Sequence, residues 1–185
     1  ALGRAFVELG VERIRLTGGE PLVRRNVLTL FQELGALPGL KELTLTTNGS
    51  QLPKMANALR DAGVKRINIS LDSLDPERFR RLTRVGELDA VLKGIDAALD
   101  AGFERIKLNA VILKNRNDDE INGLVQFAVD RGIDISFIEE MPLGVNDDHD
   151  RAEVYYSSDD VKRNIETQFI LMPTTETTGG PSKYF

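Results

Sequence analysis

Apolar and polar residues alternate in five short stretches of this chain, and each stretch follows a glycine. In every stretch an apolar residue comes directly after the glycine; in four of the five, two polar residues follow before apolar and polar residues alternate. A period of two is typical of a β-strand, and a glycine at that point is typical of a helix that ends in the left-handed conformation. The pattern therefore predicts five helix-to-strand junctions, at Gly10, Gly39, Gly63, Gly102 and Gly132.

The segments between these strands have helical periodicity, with apolar residues three and four positions apart. They predict helices over residues 23–36, 52–62, 76–82, 88–101 and 120–131, the third with Pro76 in its first turn and Asp75 as its cap. Alternating strands and helices of this length indicate parallel strands joined by right-handed crossovers. Two architectures fit this α/β pattern: a barrel of βα units, or an open doubly wound sheet.

Polar residues occupy the second alternation of the predicted strands, whereas fully buried parallel strands are usually continuous apolar runs. Because strand side chains alternate between faces, these residues should share one side of the sheet, which in a barrel is the lumen. Buried cations there, such as Arg15 and Lys107, should meet an anion, unless they lie at strand ends in water or pair with Glu139 and Asp72. The polar set comprises Arg15, Thr17, Thr44, Thr46, Asn68, Ser70, Asp72, Lys107 and Asn109.

The run Gly18-Gly19-Glu20-Pro21 lies where the first predicted strand ends. Two glycines let the backbone approach a ligand, Glu20 adds an anionic acceptor, and Pro21 stops the strand. Active sites of βα barrels lie at this end of the strands. We predict that the corner suits a ligand with a cationic amine, and the alternative is a strand-to-helix turn that binds nothing.

Composition limits the classes of function. At 185 residues and 41% hydrophobic content, the chain can bury the core of one domain, and its net charge of −5 argues against a nucleic-acid groove or an anionic membrane surface as partner. The sequence has no cysteine, which excludes disulfides and thiolate ligands, and the cytoplasm is the expected compartment.

We predict no metal ligand and no catalytic residue. His149, in an acidic loop predicted over 145–156, is assigned no role.

Five ordered motifs closely resemble the molybdenum cofactor biosynthesis protein A family of radical SAM enzymes, the GTP 3′,8-cyclases of the molybdopterin pathway. The motifs cover nearly the whole chain, whereas Gly18-Gly19-Glu20-Pro21 alone would indicate only the radical SAM superfamily. They are residues 15–25, 46–49, 70–74, 107–111 and 137–144.

The resemblance implies a partial (βα) TIM-type barrel in which a 4Fe-4S cluster cleaves S-adenosylmethionine to a 5′-deoxyadenosyl radical. That radical takes hydrogen from the ribose of GTP, and the sugar closes onto the guanine. By motif position Gly19, Ser70 and Met141 match the family's S-adenosylmethionine contacts, and the Gly18-Gly19 backbone with Glu20 suits the methionyl amine. By the same criterion the resemblance makes Arg15, Thr46 and Lys107 the substrate contacts for GTP.

One departure from the family is expected to matter. The CxxxCxxC motif and the C-terminal cysteines, which bind two 4Fe-4S clusters in the family, are absent, so the chain is predicted to be an inactive core truncated at both ends. Residues 1–172 are then an incomplete barrel and 173–185 the start of a C-terminal region, predicted as a polar loop. The open barrel edge favours self-association, including a homodimer. Two alternatives stay open: a radical SAM enzyme acting on a peptide or another small molecule, and a cysteine-free, non-catalytic binding module.

Overall fold

A parallel sheet organises the structure, a computed structural model that describes residues 1–141, 150–176 and 182–185. Neighbouring strands are parallel throughout, and their order in the sheet, β1-β2-β3-β4-β5, is their order in the chain. The strands are β1 (Arg13–Leu16), β2 (Glu42–Thr47), β3 (Val64–Ser70), β4 (Arg105–Ile112) and β5 (Asp134–Glu139).

This sequential order decides between the two predicted architectures. A doubly wound sheet reverses its strand order at a switch point, whereas a βα barrel adds each strand beside the previous one. The structure therefore confirms a partial (βα) barrel. Its helices are α1 (Leu2–Glu8), α2 (Val27–Gly35), α3 (Leu52–Asp61), α4 (Pro76–Thr83), α5 (Leu88–Ala101), α6 (Ile121–Arg131), α7 (Arg151–Val154) and α8 (Ser158–Ile165), with 3-10 turns at Pro21–Val23 and Asp118–Glu120.

The core lies between the sheet and its helices. Strand residues such as Leu45, Ile67 and Leu108 are fully buried there and belong to one cluster with Phe31 and Ile95 of the helices. Their strand neighbours point to the other face, which carries the polar residues. All five predicted junction glycines have a positive φ: Gly10 (94°), Gly39 (96°), Gly63 (88°), Gly102 (74°) and Gly132 (62°). Four of them lie at helix ends, whereas Gly39 was wrongly predicted to do so: it lies in a turn beyond Ala36, the C-cap of α2.

Two predicted boundaries were wrong. The helix predicted from residue 23 begins at Val27, because the Glu20 side chain caps a separate 3-10 turn and Asn26 adopts φ 59° between them. The acidic loop predicted over 145–156 contains α7, which Asp150 caps through the backbone N–H of Ala152 at 2.9 Å. Residues 145–149 of that prediction, including His149, lie outside the described residues.

The polar segment at the C-terminus packs against the sheet. Thr174 donates its backbone N–H to the carbonyl oxygen of Tyr184 at 3.3 Å, and the Tyr184 ring centroid lies 5.2 Å from the Arg105 guanidinium carbon. The same centroid lies 5.9 Å from Nζ of Lys107. In the described ranges, no helix has both the length and the apolar character needed to cross a bilayer.

Candidate functional site

Strand register gathers the predicted substrate contacts on the inner face of the sheet. Arg15 lies opposite Thr44, and two residues further along β2, Thr46 lies opposite Asn68 of β3. Asn68 in turn lies opposite Lys107 of β4. Residues paired across a parallel sheet, or two apart on one strand, point to the same side. The predicted common face of these polar residues is therefore confirmed.

Ion pairs occupy the amino-terminal end of this inner face. Glu42 lies 3.3 Å from a guanidinium nitrogen of Arg66 and 3.5 Å from one of Arg13. Arg105 pairs with Asp134 of the next strand. These carboxylates neutralise the cations of this end, as the cost of burying charge requires.

Lys107 lies two residues after Arg105 on β4, nearer the carboxyl ends of the strands. Its surroundings differ from those of the arginines. It is 7% exposed, and within the described part of the chain no carboxylate forms an ion pair with its ammonium group. Glu139 and Asp72, the alternative partners, are engaged elsewhere: Glu139 with Tyr155 and Ser158, and Asp72 with the backbone of Val111. Asp134 lies opposite Lys107 on β5 but pairs with Arg105. A buried ammonium group without an ion pair provides a place for an anion.

Asn68 lies between Thr46 and Lys107 and is 2% exposed. Its Oδ1 atom accepts no hydrogen bond from the residues that the structure describes. The sequence interpretation placed Asn68 in the polar set without a role. Large majorities of buried side-chain polar atoms have a partner, so this acceptor requires an explanation.

The backbone at Gly18 and Gly19 forms an open surface after β1. A Cβ atom built on either glycine would meet no heavy atom within 4 Å. Gly18 has φ 119°, which favours glycine, whereas no left-handed φ is recorded for Gly19. The local conformation thus requires glycine at 18 only, and no neighbouring atom would contact a Cβ at Gly19.

The Glu20 carboxylate accepts hydrogen bonds from within the protein that the sequence did not predict. Its Oε1 accepts hydrogen bonds from the Leu22 backbone N–H at 2.9 Å and the Thr47 hydroxyl at 2.8 Å. Its Oε2 accepts one from the Asn48 backbone N–H at 2.6 Å. Glu20 therefore joins the first βα loop to the second, beside the open backbone of Gly18 and Gly19.

Ser70 and Met141 mark the carboxyl edge on either side of β4. Ser70 ends β3, lies opposite Asn109 and is partly buried. Met141 comes two residues after β5 and is 62% exposed. The structure therefore places both predicted cofactor contacts at the edge where active sites of βα barrels lie.

A hydrogen-bond network fixes the β3 and β4 ends. Asn117, fully buried, donates to the carbonyl oxygens of Asp72 at 2.7 Å and Val111 at 2.9 Å and accepts from the Leu113 N–H at 2.8 Å. The Asp72 carboxylate accepts the Val111 N–H at 2.8 Å. Burial raises the pKa of Asp72, and the hydrogen bond from Val111 opposes that rise.

Glu120 fixes the loop that follows Ser70. It accepts the Ser73 hydroxyl and the Leu74 N–H, each at 2.7 Å, and lies 2.8 Å from a guanidinium nitrogen of Arg78. At the β5 end, hydrogen bonds from Ser158 and Tyr155 hold the pKa of Glu139 below its ordinary value. Sequence reasoning missed Asn117 and Glu120, because their partners lie far away in sequence and no local motif marks them.

The residues fit the two kinds of implied cofactor differently. The chain has no cysteine, and the described ranges contain no group of three or more His, Asp or Glu residues able to hold a metal ion. A 4Fe-4S cluster needs thiolate ligands, so these 185 residues cannot hold one in the family's manner. At Gly18 and Gly19 no heavy atom lies within 4 Å of an added Cβ, so the side-chain positions of both glycines are open.

Comparisons with known proteins agree with this geometry. Residues 1–128 match the profile of the Radical SAM superfamily. A protein named GTP 3′,8-cyclase from Pseudomonas syringae pv. syringae (strain B728a) is 60% identical over 180 residues, which are 97% of this chain and 54% of that protein. A protein of the same name from Pseudomonas fluorescens (strain Pf0-1) is 58% identical over 184 residues, covering 100% of this chain and 55% of its own length. The chain thus spans about half the length of the curated relatives it matches.

Solved structures show the same fold. The radical SAM enzyme coproporphyrinogen III oxidase from Escherichia coli superposes with a TM-score of 0.61 at 14% identity, over 85% of this chain and 39% of that one. Streptococcus suis SuiB superposes with a TM-score of 0.61 at 22% identity, over 90% of this chain and 37% of that one. At these identities the likeness concerns the fold alone.

Proposed function

Because the chain belongs to the Radical SAM superfamily, we propose that it forms the barrel core of a GTP 3′,8-cyclase, the enzyme that rearranges GTP in the first step of molybdenum cofactor biosynthesis. The observation that carries the proposal is Lys107, a buried ammonium group with no carboxylate partner in the described residues. A nucleotide triphosphate supplies the anion that such a group needs. Two relatives, 60% and 58% identical to this chain, are named GTP 3′,8-cyclase, which supports GTP as the substrate.

The proposed substrate contacts differ in the chemical group that each offers to GTP. Lys107 and Arg15 supply positive charge to the triphosphate, and the Thr46 hydroxyl, in register with Asn68, supplies a hydrogen bond. Arg15 is exposed at the sheet edge, whereas Lys107 is enclosed, so Lys107 contributes more binding free energy per contact. We do not assign proton transfer to any residue of this chain.

The proposed cofactor contacts lie at the carboxyl edge. The backbone at Gly18 and Gly19, with Glu20 beside it, takes the methionyl end of S-adenosylmethionine, while Ser70 and Met141 contact the nucleoside. The cofactor, when bound and cleaved, supplies the radical that starts the reaction. Because the chain has no thiolate ligand, we propose that the two 4Fe-4S clusters are bound by parts of a longer protein and that this chain alone is inactive.

The remaining proposals concern setting and partners. We infer that the protein acts in the cytoplasm on a small-molecule substrate, without nucleic acid or membrane as partner. The exposed β1 edge favours a homodimer of this chain, because its backbone groups have no neighbouring strand in the described sheet. Sedimentation velocity over a range of concentrations tests the dimer; a single monomeric species at every concentration contradicts it.

The experiment for the activity uses a full-length protein that carries this chain. Reconstituted with iron and sulfide and given dithionite, S-adenosylmethionine and GTP, it should yield the cyclised nucleotide. An intact cluster with no consumption of GTP contradicts the proposal.

One observation, the absence of cysteine, favours a second candidate: a non-catalytic nucleotide-binding module. The codons that flank this segment in its gene discriminate between the two. A flanking CxxxCxxC motif supports the enzyme, and its absence supports the module.

A further inference from the structure

Asn68 carries an acceptor atom that the fold leaves unused. Its side chain is 2% exposed, and its Oδ1 accepts no hydrogen bond from the described residues. An acceptor in that state lowers the stability of the folded chain. A leucine of similar size at the same position would avoid this loss of stability.

The position of Asn68 explains why such a residue is useful. Its two neighbours across the sheet are Thr46 and Lys107, both proposed nucleotide contacts on adjacent strands. Neighbouring strands are about 4.8 Å apart, so a ligand that touches both flanking side chains passes directly over Asn68. Lys107 attracts the anionic part of that ligand, while the carboxamide oxygen of Asn68 requires a hydrogen-bond donor.

We propose that the Asn68 carboxamide oxygen is a nucleotide-binding acceptor, which receives an N–H or O–H group of the substrate. The proposal rests on the proposed function, because it takes a nucleotide as the ligand of this row. GTP has donors of both kinds, in the 2-amino group and N1–H of guanine and in the ribose hydroxyls. The Tyr184 ring lies against Lys107, so a nucleotide that binds beside Thr46, Asn68 and Lys107 displaces the C-terminal segment.

Asn122 provides a matched control. It is also an asparagine whose buried Oδ1 has no partner in the described residues, but it lies on α6, away from the inner face. Its Nδ2 donates to Oδ1 of Asn164 at 3.0 Å and to the Asn164 carbonyl oxygen at 3.2 Å. Asn122→Leu therefore removes structural hydrogen bonds, whereas Asn68→Leu removes an acceptor without a protein partner.

The first measurement is thermal unfolding of the 185-residue chain without ligand. Asn68→Leu should raise the melting temperature by roughly 2–4 °C, because it replaces an unsatisfied acceptor with an apolar group of similar size. Asn122→Leu should lower it. A melting temperature that falls for Asn68→Leu as it does for Asn122→Leu overturns the proposal, since Asn68 would then be structural.

The second measurement is calorimetric titration of GTP into the full-length protein that carries this chain. Asn68→Leu should weaken GTP binding about tenfold or more, and Asn122→Leu should leave it unchanged. Unchanged affinity in Asn68→Leu overturns the inference alone. No binding of GTP by the unsubstituted protein instead overturns the proposed function, and this inference with it.

Nucleotide analogues identify the donor. If the 2-amino group of guanine donates to Asn68, Asn68→Leu should no longer distinguish GTP from inosine triphosphate, which lacks that group. If the 2′-hydroxyl donates, the variant should no longer distinguish GTP from 2′-deoxyGTP. Weakened GTP binding with both preferences retained assigns the donor to N1–H or the 3′-hydroxyl.

Discussion

The Glu20 carboxylate accepts the backbone N–H of Asn48 at 2.6 Å and so joins two βα loops that are 28 residues apart in sequence. The same carboxylate accepts the hydroxyl of Thr47, the last residue of β2. The glycine-rich corner is therefore held by its own glutamate, and the position of the Gly18–Gly19 backbone depends on that side chain.

Glu20→Gln should lower the free energy of unfolding by about 1–3 kcal/mol, because the amide retains one acceptor oxygen and turns an NH₂ group toward one of the three donors. Urea denaturation of the chain measures the change. Glu104→Gln is the control: among the described residues Glu104 forms only an exposed ion pair with Lys65 at 3.7 Å, so the loss of stability should be negligible. Equal stability of the two variants would show that the Glu20 hydrogen bonds contribute nothing.

Gly18→Ala and Gly19→Ala should separate folding from ligand binding. Gly18 has φ 119°, so alanine there should cost about 1–3 kcal/mol of unfolding free energy. At Gly19 the added Cβ meets nothing within 4 Å, so the fold should keep its stability while the methyl group occupies the ligand's approach. Binding of S-adenosylmethionine to the full-length, cluster-loaded protein should be lost in Gly19→Ala. Undiminished binding would show that the ligand does not approach this backbone.

Gly94→Ala should destabilise the chain, because a Cβ at this position would lie 2.2 Å from the carbonyl oxygen of Gly49. Overpacking of this kind costs about 1–3 kcal/mol and separates α5 from the loop after β2. Gly123→Ala, on α6, meets no neighbour within 4 Å and should stabilise the chain by about 0.5–1 kcal/mol. Chemical denaturation of both variants tests the packing, and a stable Gly94→Ala variant would contradict the close approach.

Asp72 should make stability fall as pH rises. Burial raises its native pKa above the ordinary value of 3.8, so between 3.8 and the raised pKa the folded chain holds a proton that the unfolded chain has lost. Over that window the free energy of unfolding should fall by at most about 1.4 kcal/mol per pH unit relative to Asp72→Asn, whose amide does not titrate. Denaturation curves measured at several pH values check this. A difference between the two proteins that does not change with pH would place Asp72 in a solvated environment.

Periodicity predicted much of this fold because local physics determines it. The five junction glycines, the strand alternation and the common face of Arg15, Thr46 and Lys107 all follow from residues close together in sequence. The barrel was confirmed, whereas the start of α2 was wrong, since Glu20 caps a separate 3-10 turn and Asn26, at φ 59°, divides that turn from the helix. The Ser157 capping box of α8 is a local signal that was available and was not used.

The contacts that define the site were harder to predict. Asn117 and Glu120 stabilise the carboxyl edge through partners on distant elements, and no spacing in the sequence indicates those contacts. That no carboxylate of the described residues pairs with Lys107 required coordinates as well, because Asp72, Glu139 and the facing Asp134 all have other partners. The roles of Gly19, Ser70 and Met141 in cofactor binding stay predictions.

Calorimetric titration of GTP into the full-length protein, with Lys107→Met beside Lys65→Met, tests the account most directly. Lys107 is buried on the inner face, whereas Lys65 is exposed, so the two variants remove the same charge from different surroundings. Lys107→Met should weaken GTP binding about tenfold or more, and Lys65→Met should leave it unchanged. Equal affinity of Lys107→Met and the unsubstituted protein would contradict the claim that this inner face binds the nucleotide.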